Sequence, residues 1–371
     1  MGFFWFLSIK NKMRTIKFTI DDANQKQFSI ALKNNVNHYF KDNGFSKKGD
    51  YKMFLKAIIM LSLYLVPFIL LLTIPMHTFF AFLIAIMMGI GEAGFGMSVM
   101  HDAAHGSFSK KNWLNQVFSS TIFLLGTNEL NWKIQHNYFH HMFTNIYGYD
   151  EDIETAVVIR LSEHAPLKKY HQFQYLYAFL LYGLLTLSKL VTDFGQLMRY
   201  NKLGITKERN LNPFNQYLKM IIAKMIYLFI IIGLPLMLTD FTLWQIIVGF
   251  VIMHVTAGMI MSAIFQMAHV VKGAQQPLPD SDGKINNEWG FHQLLTTSNF
   301  AKNNKFLCWY IGGLNFQIVH HLYPNVCHLH YPAISNIVEQ TAHDFGYTCN
   351  INPTFIDALF SHITRLKELG K

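Results

Sequence analysis

From Ala57 to Gly91 the chain runs without an Asp, Glu, Lys or Arg. That is too long for one membrane span, and "TIPMHT" at 73–78 interrupts it. The pattern predicts two helices, about 54–73 and 78–100, each with the roughly twenty residues that a bilayer demands. A second apolar pair, about 219–238 and 243–268, is divided by the short turn "TDFT". Neither short turn carries Lys or Arg, whereas ten basic residues precede Met53 and others follow at Lys110, Lys111, Lys133, Arg160, Lys168 and Lys169. By the positive-inside rule the turns face outward, and both termini lie in the cytoplasm with the long middle segment.

The segment 170–197 is apolar enough to span but rich in Tyr and Gln. A fifth span would put the C-terminal histidines on the opposite side from the first ones, so an interfacial or half-buried helix is expected. Residues 113–125 are a weaker candidate of the same kind. The fold class expected is all-α integral membrane: four transmembrane helices in two hairpins, interfacial helices and a cytoplasmic helical cap. Residues 1–53 are expected to be a cytoplasmic N-terminal segment and 54–371 one domain.

Composition sharpens this picture. Only 14% of the 371 residues are charged, and the chain holds 33 Phe and 18 Met. A soluble domain carries about a quarter charged residues, so lipid is expected to cover part of the surface. The formal charge of +9 is not gathered into one basic stripe. An anionic membrane face is the expected partner, and nucleic acid is not. The start, "MGFFWFLSIKNKMRTIKF", lacks a basic region ahead of its apolar burst and a small-residue cleavage site, and does not read as a signal peptide. Three cysteines, Cys308, Cys327 and Cys349, form no CxxC pair. Any metal here is therefore held by nitrogen and oxygen.

The 18 histidines supply the candidate chemistry. "HDAAH" places His101 and His105 at i and i+4 on one helix face. "HNYFHH" gives His136, His140 and His141, and "QIVHH" gives Gln317, His320 and His321. Helical i/i+4 spacing lets two imidazoles approach one ion, and an adjacent histidine can turn to a second. One such pair is a weak signal; seven imidazoles in three clusters exceed what one ion needs. Helices begun at Thr78 and Trp244 run about 36 and 39 Å to His101 and His269, outrunning a hydrocarbon core of about 30 Å. Both should emerge at one height, which makes His269 the candidate eighth ligand. His254, in mid-span, and the scattered His38, His77, His164, His171, His343 and His362 read as structural or solvated.

Imidazole suits Zn, Cu, Fe or Ni. Eight imidazoles and an amide could fill two five- or six-coordinate ions, and two adjacent metals with open positions suit dioxygen chemistry. Carboxylates are expected to orient the ligands: Asp102 inside the first cluster, and Asp150, Glu151 and Asp152 after the second. A His-lined metal transporter would need ligands along a mid-membrane path, yet all but His254 lie outside the predicted spans.

The set "HDAAH", "HNYFHH" and "QIVHH" between two apolar hairpins resembles the membrane fatty acid desaturase family, from about Lys52 to the C-terminus. The third box begins with Gln317 rather than His, as in the front-end branch, which acts between an existing double bond and the carboxyl end. The run "GGLNFQIVHHLYPNVCHLHYPAI" is similar to linoleoyl-CoA or delta-6-type desaturases. The resemblance implies a non-haem centre of two Fe ions with O2 as co-substrate. It implies His101, His105, His136, His140, His141, His320 and His321 as ligands, with His269 outside the boxes. It further implies a CoA- or lipid-linked fatty acyl substrate. The HPGG motif of a fused cytochrome b5 is absent, so the electron donor is expected to be a separate ferredoxin or cytochrome b5. A lipid or carotenoid hydroxylase or ketolase on the same scaffold is the alternative.

Overall fold

Absence of charge over long apolar runs dictates the largest elements. In the computed structural model, which describes residues 16–19, 22–155 and 158–371, four helices are long and apolar enough to cross a membrane. The expectation for the apolar start, residues 1–18, falls mostly outside the described residues. After α1 (Ala23–Asp42) come α2 (Tyr51–Thr73), α3 (Thr78–Ala104), and then α4 (Asn112–Ser120) and α5 (Glu129–Lys133). The middle of the chain holds α6 (Gln174–Tyr182), α7 (Leu185–Lys202), α8 (Pro213–Leu238) and α9 (Leu243–His269). The principal helices of the C-terminal part are α10 (Trp289–Thr296), α11 (Gln317–Leu322), α12 (Tyr331–Asp344) and α13 (Phe355–Leu369).

Caps set several of these boundaries. Asp50 accepts from the Lys52 amide at the start of α2, and Thr242 forms a capping box with Gln245 at the start of α9. Pro213 follows the capping Asn212 and opens α8. It begins six residues before the expected 219, because an apolar scan passes over the polar Asn215 and Gln216, which a helix carries without difficulty in its first turn.

The long helices approach closely where glycine removes the side chain. A Cβ on Gly91 of α3 would lie 2.6 Å from the Leu63 and Tyr64 backbone of α2, and one on Gly89 would meet the Met253 carbonyl of α9 at 2.4 Å. Their outer faces carry exposed Ile58, Phe79, Phe80, Met225, Met237 and Trp244, bare apolar surface of the kind that lipid covers.

Beyond one end of these helices lies the cap. Phe28, Leu32, Val36 and Phe40 of α1 repeat every four residues and pack with Ile334, Val338 and Ala342 of α12. The expected all-α class needs one small correction, since two parallel strand pairs, Lys17–Phe18 with Lys284–Ile285 and Asn299–Phe300 with Ile351–Asn352, tie distant segments together.

Two further departures bear on the site. The segment 170–197 is not one helix: it breaks between α6 and α7 with an 87° bend. At the break the Gly183 carbonyl lies 2.7 Å from where a Cβ on Gly258 of α9 would sit, so the bend follows the close approach of two backbones. Furthermore, among the described residues three stretches wind as π-helix: Phe229–Gly233 within α8, and two that bear on the site, Gly96–Met100 ahead of His101 and Ile134–His140 through the second cluster. Such turns concentrate at functional sites.

Gly91→Ala is expected to lower the thermal midpoint of the detergent-solubilised protein, since overpacking costs about 1–3 kcal/mol. Gly249→Ala, where the nearest atom would be Ala85 Cβ at 4.0 Å, should leave it unchanged.

Candidate metal centre

The π turn decides how the second cluster presents its imidazoles. An α-helix turns about 100° per residue, which sets His141 far round the helix from His136. With roughly 80° per residue in a π turn, His136, His140 and His141 share one wall. His136 and His141 then approach with Nε2 atoms 3.3 Å apart, and it is His140, not His141, that turns away. This reverses the expected division of the i/i+4 pair.

The structure gathers all eight predicted imidazoles into one buried cluster of two halves. His101, His105, His136 and His320 have ligand atoms within 4.8 Å of one another, and so do His140, His269 and His321. His101 and His136 Nε2 atoms are 3.0 Å apart. His141 packs between the halves, with ring centroids 4.6 Å from His320 and 4.4 Å from His321. His101 and His269 lie in the last turns of α3 and α9. Gln317 Nε2 is 3.0 Å from His269 Nε2, which brings the amide to the second half. Trp132 stacks on His136 at 4.5 Å.

Several imidazoles are anchored on their outer nitrogen. Both Asp150 oxygens lie 3.1 Å from His140 Nδ1, and Asp150 also accepts from the Asn145 and Asp152 amides. Asp152 comes within 3.5 Å of His140 and 3.9 Å of His136. His321 Nδ1 meets Gln293 Oε1 at 3.0 Å and Thr144 Oγ1 at 3.1 Å; His320 Nδ1 meets the Tyr331 hydroxyl at 3.2 Å. Glu151 reaches no imidazole and instead binds Arg199, Tyr200 and Gln196. Asp102 turns to His328, whose other ring nitrogen is 2.7 Å from Lys56 Nζ. His254 is held by Tyr227 and Thr186, away from the cluster. An apolar cavity of about 50 Å3 lined by Phe68, Met88, Ile231 and Met253 lies about 20 Å down α3 from His101.

Thr144, Asn145, Gln293 and Tyr331 were not legible as site residues. Only Thr144 carries a local signal, four residues from His140 on the same helical face. Asn145 adopts φ 58 and donates from Nδ2 to the carbonyls of His269, Gln275 and Thr296, fastening the second cluster to the end of α9.

Electrostatics and hydrogen-bond accounting agree on what the cluster can do. Burial, and then neighbouring imidazoles, push His105, His136, His141, His320 and His321 well below the usual histidine range. They are neutral, the form that ligates a metal. His101 Nδ1, His105 Nε2, His141 Nδ1, His269 Nδ1, His320 Nε2, His321 Nε2 and Gln317 Oε1 are buried without a hydrogen-bond partner. Each such atom costs about 1–3 kcal/mol if nothing satisfies it, so the donor set fits shared cations. Its nitrogens exclude calcium and magnesium, which take oxygen.

The fatty acid desaturase family model matches residues 74–353. The chain belongs to the fatty acid desaturase family. A sn-1 linoleoyl-lipid 6-desaturase of Synechocystis sp. is 31% identical, over 96% of this chain and 98% of that protein. An acyl-lipid (8-3)-desaturase of Physcomitrium patens is 32% identical over 97% of this chain and 75% of its own length. A sn-1 linoleoyl-lipid 6-desaturase of Arthrospira platensis is 29% identical over 92% of each. This desaturase is thus an iron-dependent, membrane-associated oxidoreductase of lipid metabolism, and its imidazole clusters suit iron.

His140 gives a test of the electrostatics. Burial lowers it, but the Asp150 and Asp152 carboxylates override that and carry it up to about 9. In metal-free protein this raised group contributes stability in full below the unfolded value of about 6.5 and loses it as pH rises towards about 9. The lowered imidazoles act below about 6.5 and leave that window untouched. The stability of the chelator-stripped protein, followed through its thermal midpoint, should therefore fall from pH 6.5 to 8, by on the order of 2 kcal/mol at most. Asp150→Asn should flatten the dependence.

Proposed function

We propose that this desaturase introduces a cis double bond on the carboxyl side of an existing one, in a lipid-linked fatty acyl chain such as linoleoyl, using O2 and two electrons. The observation that carries the reading is the pair of adjacent imidazole groups, each with ring nitrogens within 4.8 Å of one another, at the end of four apolar helices. Two iron ions are the proposed occupants. His101, His105, His136 and His320 hold one and His140, His269 and His321 the other, with His141 between them and Gln317 beside His269. Bound iron would supply the dioxygen-derived oxidant that removes hydrogen from two neighbouring methylenes.

The chain's own residues do the rest. Asp150 accepts the Nδ1–H of His140 and fixes its tautomer, leaving Nε2 for the metal. Gln293 and Thr144 orient His321 likewise, and Tyr331 orients His320. Asp102, held at the back of α3 by His328, whose other ring nitrogen meets Lys56, steadies the turn that carries His101. Burial of every imidazole except His105, which is half-buried, keeps water from competing for the oxidant. The protein has no acid–base group to offer an unactivated methylene, so its contribution is to hold one C–C bond against the oxidant.

In the proposed arrangement α2 and α3, and α8 and α9, form two transmembrane hairpins with short turns outside. Both termini and the metal centre face the cytoplasm. The distribution of Lys and Arg supports this orientation. The exposed apolar residues Leu176 and Leu180 of α6 and Val191 of α7 support an interfacial position for the bent segment. Residues 54–371 are the catalytic domain and 1–53 an N-terminal cytoplasmic segment whose α1 packs on the cap. A ferredoxin or a cytochrome b5 supplies the electrons. The front-end assignment is supported by the names of the relatives and by Gln317 opening the third box.

The test is the fatty acid methyl ester profile, by gas chromatography–mass spectrometry, of cells expressing the chain with a ferredoxin system and fed linoleate. The expected outcome is a more unsaturated acid, with the new bond nearer the carboxyl end, that disappears with His140→Ala. Hydroxylated lipid instead would replace desaturation by the hydroxylase alternative.

A further inference from the structure

Beside the imidazole cluster stands a half-buried cation. Lys189 lies on α7, just beyond the 87° break. Its Nζ donates to Gln135 Oε1 at 2.7 Å and reaches Gln196 Oε1 at 3.4 Å, both neutral amides. Neighbouring cations meet carboxylates: Lys133 meets Glu129, Arg199 meets Glu151 and Lys224 meets Asp193. Among the described residues no carboxylate lies within 4.0 Å of the Lys189 ammonium. A charge withdrawn from water without a counter-charge is costly, and its retention points to a partner that arrives from outside the chain.

Its surroundings say what that partner is. Gln135 is the residue before His136, and its Nε2 donates to Asp152 at 2.6 Å. Asp152 turns its other oxygen to His140 and His136. One amide and one carboxylate therefore separate Lys189 from the imidazoles. One turn earlier, Leu185 packs against the cluster formed by Leu125, Met261 and Ala257, which Phe265 also joins, and the Phe265 ring stands 6.4 Å from His136. The same face of α7 thus carries an apolar side chain whose packing cluster reaches towards His136 and, one turn on, a cation. A molecule with a methylene chain and a polar carbonyl end matches that order.

We propose that Lys189 binds the carbonyl end of the acyl substrate and so sets the distance, counted from that end, at which the double bond is placed. This rests on the front-end reading above, because an enzyme that counts from the carboxyl end needs a polar anchor a few C–C bonds from its metals. Gln135 and Gln196 hold the ammonium in place until the carbonyl displaces one of them. An ester, a thioester and a free carboxylate share this chemistry.

The experiment compares wild type, Lys189→Met and Lys189→Arg as purified, iron-loaded full-length protein with a reductase–ferredoxin system. The linoleoyl chain is supplied either on a phospholipid in mixed micelles or on CoA. Iron content, KM, kcat and double-bond position are measured. Lys189→Met should keep its iron, raise KM about tenfold or more, as loss of a charge-assisted hydrogen bond does, and spread the new double bond over neighbouring positions. Lys189→Arg should keep most of the activity and a single position. The carrier on which Lys189→Met shows the larger effect is the one whose carbonyl the lysine holds.

Wild-type KM and a single position in Lys189→Met would overturn the proposal, and so would loss of its iron, which would assign the lysine to bracing Gln135 and Asp152. Should Lys189→Met not fold, Lys189→Gln is read by the same criteria. Absence of desaturation in the wild type, or a bond placed from the methyl end, would overturn the functional reading together with this one.

Discussion

Everything in this structure answers to one constraint: eight imidazoles share a single pocket, seven of them fully buried and most with one nitrogen left without a protein partner. In isolation that is an expensive arrangement. The fold keeps it because packing fixes the rings before any ion arrives. Four segments carry the imidazoles, α3, the second-cluster turn, α9 and α11, and each is locked by contacts outside the cluster. Asn145 bridges three carbonyls, Asp150 collects two backbone amides, and Tyr331, Thr144 and Gln293 hold outer nitrogens. Preorganisation of this kind is what a redox metal centre needs, because a loose ligand would move each time the charge on the metals changes.

The same constraint explains where the helices depart from regularity. An α-helical second cluster would aim His141 away from the pocket. The π winding of Ile134–His140 brings all three imidazoles to one side. The π turn at Gly96–Met100 resets the phase of α3 just before His101. The bend between α6 and α7 lets α7 run beside the centre, bringing Asp193 to cap the approach to α5 through the Asn128 amide and to pair with Lys224 of α8.

Much of this was legible in the sequence, for physical reasons that also mark where legibility ends. Uncharged runs announce spans because a bilayer tolerates little else, so 78–100 and 243–268 lie within a few residues of α3 and α9. The depth of His101 and His269 followed from helix rise alone, and both stand in the cluster. Spacing could not reveal the π turns, because nothing local in "IQHNYFHH" distinguishes 3.6 from a wider winding. It could not reveal the break at Gly183, which depends on Gly258 seventy-five residues later. Nor could it foresee that Asp102 would face His328 and Lys56 while Asp150 served His140, since partners chosen across a fold leave no mark on spacing.

In the proposed centre the two halves of the imidazole cluster each hold one iron. Inductively coupled plasma mass spectrometry of the purified full-length protein counts them. His105→Ala, from the first half, and His269→Ala, from the second, serve as probes. The expected result is about two irons per chain in the wild type and about one in each variant, with the other half still loaded. A wild-type chain with a single iron, or with zinc in place of iron after loading with both, would contradict it.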